Sequence, residues 1–391
     1  MWLKNKLEEV STFISRGISP KYIEKGGIRV LNQKCIRNHV INYDLARRHN
    51  FELKKFSEDR FIKKGDVLIN STGQGTLGRV AQVREDPKEL TTVDSHITIV
   101  RPKEELFYLE YFGYSAIAIE KIIKNYGQGA SGQTELAKSK VQNELEISFP
   151  ISLKEQKNIV AKLDHAFTEI DKSLEIKRIL LLENKKLFKS LLESCFNENF
   201  KGMKIGDLGE VSSGGTPSSK NRDYWEGDIQ WYSSGELNNK FTKKSIKRIT
   251  NEGLINSNAK LFPKDSLLVG MYDTAAMKMS ILREESTFNQ AIVGIAPNKI
   301  VSTEYLLFTL TYLKNSILQQ RRGVRQQNLS LAKIKNIEFP IPTPEIQESI
   351  VKKLDFVSKQ NIFYKGYLSE IIENLLSLKS SVLTKALKFE I

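Results

Sequence analysis

FPISLKEQKNIVAKLD (residues 149–164) returns about half a chain later as FPIPTPEIQESIVKKLD (residues 339–355), with one extra residue before the shared glutamine. Each copy opens a segment whose apolar residues recur at alternating steps of three and four, the seam of a coiled-coil helix. In the first segment the series is Val160, Leu163, Phe167, Ile170, Leu174, Leu181, Phe188 and Leu191, with Lys177 and Asn184 as polar interruptions. In the second it is Leu354, Val357, Tyr364, Leu368, Ile371, Leu375, Leu378 and Val382, interrupted by Asn361. Paired antiparallel about their midpoints, the two arms bring Asn184 and Asn361 close to level. Either two buried amides satisfy each other and fix the register at some cost in stability, or each asparagine faces water. A helix of about 44 residues is roughly 66 Å long, comparable to about two turns of duplex DNA.

The repetition reaches back into the segment before each arm. KLEEVSTFISRGISPKY (6–22) parallels KIGDLGEVSSGGTPSSK (204–220), IKKGDVLIN (62–70) parallels FPKDSLLVG (262–270), and VDSHITIVRP (93–102) parallels FNQAIVGIAP (288–297). Order and spacing are kept while the filling differs, as expected of one scaffold used twice with different surfaces. The organisation read from this is a first head at 1–150, a first arm at 151–200, a second head at 201–342 and a second arm at 343–391. Strands are expected at 28–31, 67–70, 78–83 and 96–100 in the first head, and at 230–232, 267–271 and 291–295 in the second. Helices are expected at 106–126 and 303–320. The fold class is α+β: two mainly-β heads with short helices, separated and followed by long helices that pair as an antiparallel coiled coil.

Among 391 residues, 60 Lys and Arg against 46 Asp and Glu leave a formal charge of +14. Such an excess points to an anionic partner, with nucleic acid first. No apolar run is long enough to cross a membrane and the start lacks a signal-peptide pattern, so a cytoplasmic protein without a membrane partner is expected. The two cysteines, Cys35 and Cys195, indicate neither a disulfide framework nor a thiolate metal site. His39, His49, His96 and His165 show no metal spacing. His39 and His49 lie in a basic polar stretch and are expected to face water or phosphate, while His96 reads as a satisfied residue of a strand.

GQGTLG (73–78) and GQGASG (127–132) match the G-x-G-x-x-G pattern, but neither sits between a strand and a helix that would hold a pyrophosphate. The first reads as a turn and the second as a mobile loop. No P-loop, no segregated pair of carboxylates and no Pro-Pro-aromatic motif for amino-methylation is present. A binder without a cofactor or metal of its own is therefore expected, one that borrows its chemistry.

The ordered duplicate set, with GGTPSSKNRDYWEGDIQWYSSGEL (214–237), the Gly-Asp-hydrophobic phrase at 65–69, the Gln-containing loops before each arm and the two arm openings, resembles the specificity subunit of type I restriction-modification systems over essentially the whole chain. The second opening departs slightly, with Glu-Ile-Gln where the first has Glu-Gln. The resemblance implies that each head is a target recognition domain reading one half of an asymmetric, interrupted double-stranded DNA site. It further implies that the arms set the unread spacer and dock two copies of a modification subunit. That partner would supply S-adenosylmethionine and the active site, and a restriction subunit, where present, would bring ATP and Mg. The chain itself would be a non-catalytic DNA-binding subunit.

Base reading calls for paired donors and acceptors on supported loops. In the first head the candidates are Ser19, Tyr22, Lys34, Arg37, Asn70, Ser71, Thr72, Gln74 and Arg79, with Gln128, Ser131 and Gln133 in a later loop. In the second they are Thr216, Ser218, Ser219, Lys220, Trp231, Tyr232, Ser233, Glu236, Tyr272, Lys278, Asn289 and Gln290. Gln320, Arg321, Arg322, Arg325, Gln326 and Gln327 form the densest patch. The plainer readings stand beside these: 214–217 as a turn, Trp231 as core, and the arginine patch as a solvated helix end whose cations suit the dipole. Lys157, Lys162, Glu169, Lys172, Lys352 and Lys353 mark the outward faces of the arms, as docking surface or as solvated charge. A fragment of a fused restriction-methylation enzyme and a two-headed scaffold or RNA-binding protein remain as alternatives.

Overall fold

In a computed structural model the chain is described over residues 1–126, 135–196, 200–319 and 329–388. It forms two compact units, Met1–Lys177 with Glu370–Ile391, and Arg178–Ser369. The boundaries between these units fall inside the two long helices. Each unit holds one head, part of one arm and the opposite end of the other.

In the first unit, Ser11–Arg16, Ile97–Pro102, Val67–Asn70 and Val80–Gln82 lie in that order in an antiparallel sheet. A second sheet runs Thr91–Val93, Ile28–Leu31, Arg47–His49 and Tyr22–Ile23, with its first pair parallel. In the second unit the first sheet is Val211–Ser213, Ile292–Ile295, Leu267–Gly270 and Met279–Ile281. Its second sheet is Thr287–Phe288, Trp225–Tyr232 and Lys247–Ile249, again with the first pair parallel. The three sequence parallels are thus three matching strands of a repeated sheet. Val67–Asn70 and Leu267–Gly270 are buried at every position. Both faces are covered, so these strands are continuous apolar runs and not alternating ones.

Each head is closed by a pair the sequence did not suggest. Trp2–Lys6 pairs with Glu146–Pro150, and Gly202–Lys204 with Glu338–Pro340, so a head's first strand is bonded to the strand that feeds its arm. The helix expected at 106–126 is two, Leu109–Ala118 and Glu120–Tyr126. It breaks at Ile119, whose backbone leaves the helical region while its side chain stays 1% exposed in the core. The second head keeps one helix, Thr303–Gln319.

The arms are helices of 44 residues, Leu153–Phe196, and 43 residues, Pro344–Ala386. Pro344 occupies the first helical position, where its missing N–H costs nothing. Gln156 N–H donates to the Ser152 carbonyl and Gln347 N–H to the Thr343 carbonyl, both at 3.0 Å. The two helices therefore start at the same distance before the shared glutamine, and the extra residue lies in the connection ahead of them.

That glutamine holds each arm to its head. Gln156 is fully buried; its Oε1 accepts from Tyr108 N–H at 2.8 Å, and its Nε2 donates to the carbonyls of Leu106 and Pro150, both at 2.9 Å. Gln347 repeats the set with Ser302 N–H at 3.0 Å and the carbonyls of Ile300 at 3.1 Å and Pro342 at 3.0 Å. A second tie is repeated too: the Tyr111 hydroxyl donates to Ser148 O and that of Tyr305 to Pro340 O, each at 2.9 Å.

The apolar seam is largely head core. Val160, Leu163, Phe167, Ile170 and Leu174 share one core with Leu7, Tyr111, Phe149 and, from the second arm, Leu383 and Leu387. In the second unit Leu192 and Phe196 share a core with Ile205, Tyr305, Phe339, Ile350 and Leu354. Each fully buried Leu or Phe contributes about 2 kcal/mol. The start of one arm meets the end of the other in each unit, the antiparallel sense expected; Lys379 Nζ bonds both Asp171 oxygens at 2.7 Å. Asn184 and Asn361 are half-buried, with no hydrogen bond between their amides. Tyr364 and Leu378, assigned to the seam, are each 50% exposed. Among the described residues no helix is long and apolar enough to cross a membrane.

Candidate nucleic-acid interface

The first head gathers two of its predicted segments, that of Lys34 and Arg37 and that of residues 70–79. Ile36–Arg37 and Val40–Ile41 form a hairpin whose turn residues, Asn38 and His39, both take positive φ (51° and 61°), the left-handed pair that matches a hairpin's twist. The turn at 71–78 packs against it: Asn70 Nδ2 donates to Gln33 O at 3.0 Å, Thr76 Oγ1 to Gln33 Oε1 at 3.0 Å, and Arg79 Nη1 to Ile36 O at 3.2 Å. Lys34, Arg37 and Gln74 stand exposed around this junction. GQGTLG is a turn leading into strand Val80–Gln82, as read from the sequence. Gly78, at φ 79°, lies where a Cβ would meet Lys124.

Several candidates prove to be supports and not surface. Asn70 and Ser71 are fully buried; Ser71 Oγ is 2.5 Å from the Thr98 hydroxyl, and Asn70 Nδ2 also donates to Thr76 O at 3.1 Å. Thr72 is half-buried, its hydroxyl 2.6 Å from His96 Nδ1. Arg79 spends its second Nη on Gly75 O at 2.9 Å. These side chains are committed to shaping the turn. His49, expected at the surface, is fully buried: its Nδ1 accepts from Lys21 N–H at 2.9 Å and its Nε2 donates to Lys54 O at 2.8 Å. His39 is exposed but tied to Glu120 at 2.8 Å.

In the second head Trp231 and Tyr232 are core, 7% and 2% exposed. Trp231 Nε1 donates to Gly215 O at 3.0 Å and the Tyr232 hydroxyl to Lys243 O at 2.7 Å. As neighbours on one strand the rings face opposite sides, and both sides are covered: Trp231 packs with Trp225 and Ile249, Tyr232 with Phe262, Leu268 and Phe288. Glu236 is taken up by Ser233, accepting from its N–H at 2.8 Å and its hydroxyl at 2.7 Å. Tyr272 packs half-buried on the core, Lys278 Nζ donates to Asn238 Oδ1 at 2.9 Å, and Asn289 Oδ1 accepts from Ala291 N–H at 3.1 Å. Thr216, Ser218, Ser219, Lys220 and Gln290 are exposed, and the Thr216 hydroxyl donates to Gln290 Oε1 at 2.5 Å. Gln128, Ser131, Gln133, Gln320, Arg321, Arg322, Arg325, Gln326 and Gln327 lie outside the described residues.

Thr216 and Gln290 line a groove of about 780 Å³ with Gly214, Gly215, Asn258 and Lys260. The first head has its groove at the matching place, about 350 Å³, lined by Gly17, Ser19, Lys54, Lys55, Phe56 and Arg60 among others. Gly17 and Gly214 are equivalent: their N–H groups donate to Ile97 O and Ile292 O, and the next N–H in each case reaches Val93 O or Phe288 O. A Cβ on either would fall 2.0 Å from the carbonyl of Val93 or Phe288, so only glycine lets the chain cross there. The first groove carries Lys54, Lys55 and Arg60, of which Lys54 Nζ donates to Ser19 O at 3.0 Å and Arg60 Nη1 to Gly17 O at 3.0 Å, and the second carries Lys260. Sequence reading missed the cations Lys54, Lys55, Arg60 and Lys260, and also the basic strands Arg47–His49 and Lys247–Ile249. Their signal was available as RRH and KRI two hundred residues apart at matching places in the repeat.

The titration behaviour of the first head reflects packing. Burial raises the Asp94 carboxyl and the Cys35 thiol above their ordinary values. Asp66, fully buried, is bonded by Arg101 at 2.7 and 2.8 Å, a closed pair with no free face. Among the described residues no group of three or more His, Cys, Asp and Glu is placed to hold a metal ion.

A family model described as the type I restriction modification DNA specificity domain matches residues 1–181 and again 197–373. The type I restriction enzyme MjaIX specificity subunit of Methanocaldococcus jannaschii is 29% identical over 183 residues, covering 44% of this chain and 42% of that protein. The EcoR124I/EcoR124II specificity subunit of Escherichia coli is 26% identical over 227 residues, covering 56% of each. The chain thus spans about half the length of these curated relatives. A chain from a structure of the type I R-M system, described in terms of complex assembly and conformational transition, superposes with a TM-score of 0.78 over 99% of this chain and 97% of that one. At 16% identity that likeness establishes the fold.

Proposed function

The chain belongs to the type I restriction modification DNA specificity family, and from that premise we propose that it is the DNA sequence-specificity subunit of a type I restriction-modification complex. Each head reads one half of a bipartite, asymmetric double-stranded site. The helical arms set the unread spacer and dock two modification subunits. The chain is non-catalytic: S-adenosylmethionine and the adenine-methylating site belong to the modification subunit, ATP and Mg to a restriction subunit where one joins. It works in the cytoplasm beside the DNA it reads.

The observation that carries this reading is the repetition of the head down to its attachment. A four-stranded sheet of the same order, a second sheet sharing three strands, a closing strand pair and a buried glutamine with three backbone partners occur twice. The exposed side chains around the turns and grooves differ between the heads. A common frame with different faces is what two half-sites of different sequence require. Coexpression with a modification subunit, followed by mapping of every methylated adenine on a plasmid, tests it. An interrupted asymmetric motif that vanishes without this chain is expected; methylation indifferent to the chain contradicts it.

A further inference from the structure

Arg47–His49 and Lys247–Ile249 are the same strand of the two heads. Each pairs with the long strand of the second sheet, Arg47 opposite Val30 and His49 opposite Ile28, Lys247 opposite Trp231 and Ile249 opposite Ile229. In both heads an aromatic residue lies opposite the position two beyond the cation: Tyr22 opposite His49, and Trp225 opposite Ile249. Residues two apart on a strand share a face, so cation and ring are diagonal neighbours. The Arg47 guanidinium lies 3.4 Å from the Tyr22 ring centre and the Lys247 ammonium 5.4 Å from that of Trp225.

The two heads reach this arrangement by different means. Tyr22 comes from a separate two-residue strand, whereas Trp225 begins the long strand itself, which bulges between Trp225 and Ile229 and returns to the same partner. Both cations are exposed, and among the described residues neither has a carboxylate in an ion pair. The neighbouring Arg48 is instead taken by Glu89, with contacts of 2.6 and 3.1 Å.

We propose that Arg47 and Lys247 are the phosphate anchors of the two heads, each a ring-mounted cation that holds the DNA backbone while other side chains read bases. The proposal rests on the DNA-reading function. Whatever diverged heads keep in common should meet what every half-site has in common, and that is the phosphodiester backbone, not a base edge. The exchange of Arg for Lys points the same way. A phosphate accepts either as a charge, while paired bonds to one base depend on the guanidinium's fixed fork. The ring beneath steadies a long side chain and leaves its charge facing out.

The test uses the whole chain copurified with its modification subunit, as wild type, Arg47→Gln, Lys247→Gln and the double variant, with Lys247→Arg as the conservative control. Each loss of charge should weaken binding to cognate and unrelated duplexes by the same factor. It should also reduce the slope of log affinity against log salt by about 0.9. Lys247→Arg should bind as wild type, and the methylated motif should not change in any variant. Unchanged slopes alongside normal wild-type binding overturn the anchors alone, as does a loss confined to one sequence or a motif relaxed at one base. A wild-type complex that binds no duplex overturns the functional reading and the anchors with it.

Discussion

The two units agree most closely where arm meets head and differ about two helical turns further on. The aspartate that ends the repeated phrase is Asp164 in the first unit and Asp355 in the second. Asp164 accepts from the Tyr114 hydroxyl. In the second unit, counting from the matched tyrosines Tyr111 and Tyr305, the place of Tyr114 is held by Phe308, which has no hydroxyl to give. Asp355 instead receives Lys240 Nζ at 2.5 Å, and that ammonium also lies 5.6 Å from the Phe308 ring centre. The backbone clamp is invariant because its partners are main-chain groups that every sequence supplies. The aspartate contact has drifted because its partner is a side chain.

The largest effect should come from the clamp. Gln156→Ala and Gln347→Ala each strand one N–H and two carbonyls in a buried site, at about 3 kcal/mol or more. Calorimetry should show one variant lowering the transition of the first unit and the other that of the second, by similar amounts. A large loss in one unit with none in the other would break the equivalence of the two attachments.

Next comes alkaline pH. Burial, and then the hydrogen bond to Asp164, pushes Tyr114 up to about 12, and burial pushes Tyr305 up to about 12 and raises Tyr111 further. A hydroxyl held neutral this way contributes its full stability below the unfolded value near about 10 and loses it as pH rises through the folded value. Each such tyrosine is worth about 2 kcal/mol across that window. The first unit has two of them in its attachment core and the second one, so circular dichroism between about pH 10 and 12 should show the first unit unfolding earlier. Tyr114→Phe should bring the two units together. The smallest effect belongs to the drifted contact: Lys240→Met should cost about 0.5 to 1 kcal/mol in the second unit, since the pair is partly exposed.

What could be read from the sequence followed burial. Strands 28–31 and 67–70 were found to the residue because their β-branched and leucine residues, Ile28, Val30 and Leu31 in one and Val67, Leu68 and Ile69 in the other, are buried and stand between turn residues. The closing strand Trp2–Lys6 was missed because its side chains are mostly polar and only its backbone is committed. Tyr22–Ile23 is too short to leave a pattern. At the site the difficulty was direction. Asn70, Ser71, Trp231 and Tyr232 have the chemistry of base readers, yet all four are buried, and Trp231 and Tyr232, neighbours on one strand, enter two different cores because both faces of their sheet are covered. The glutamine of the repeated phrase was visible as a letter, but its three partners lie 5 to 50 residues away and only the fold brings them together.

Two readers on one frame can be separated most directly by mapping methylated adenines for a chain carrying Arg37→Ala and Gln74→Ala, both exposed at the hairpin junction of the first head. The second half-site and the spacer should be kept while bases in the first half-site are relaxed. Relaxation in both halves, or an altered spacer, would contradict independent heads on a shared frame.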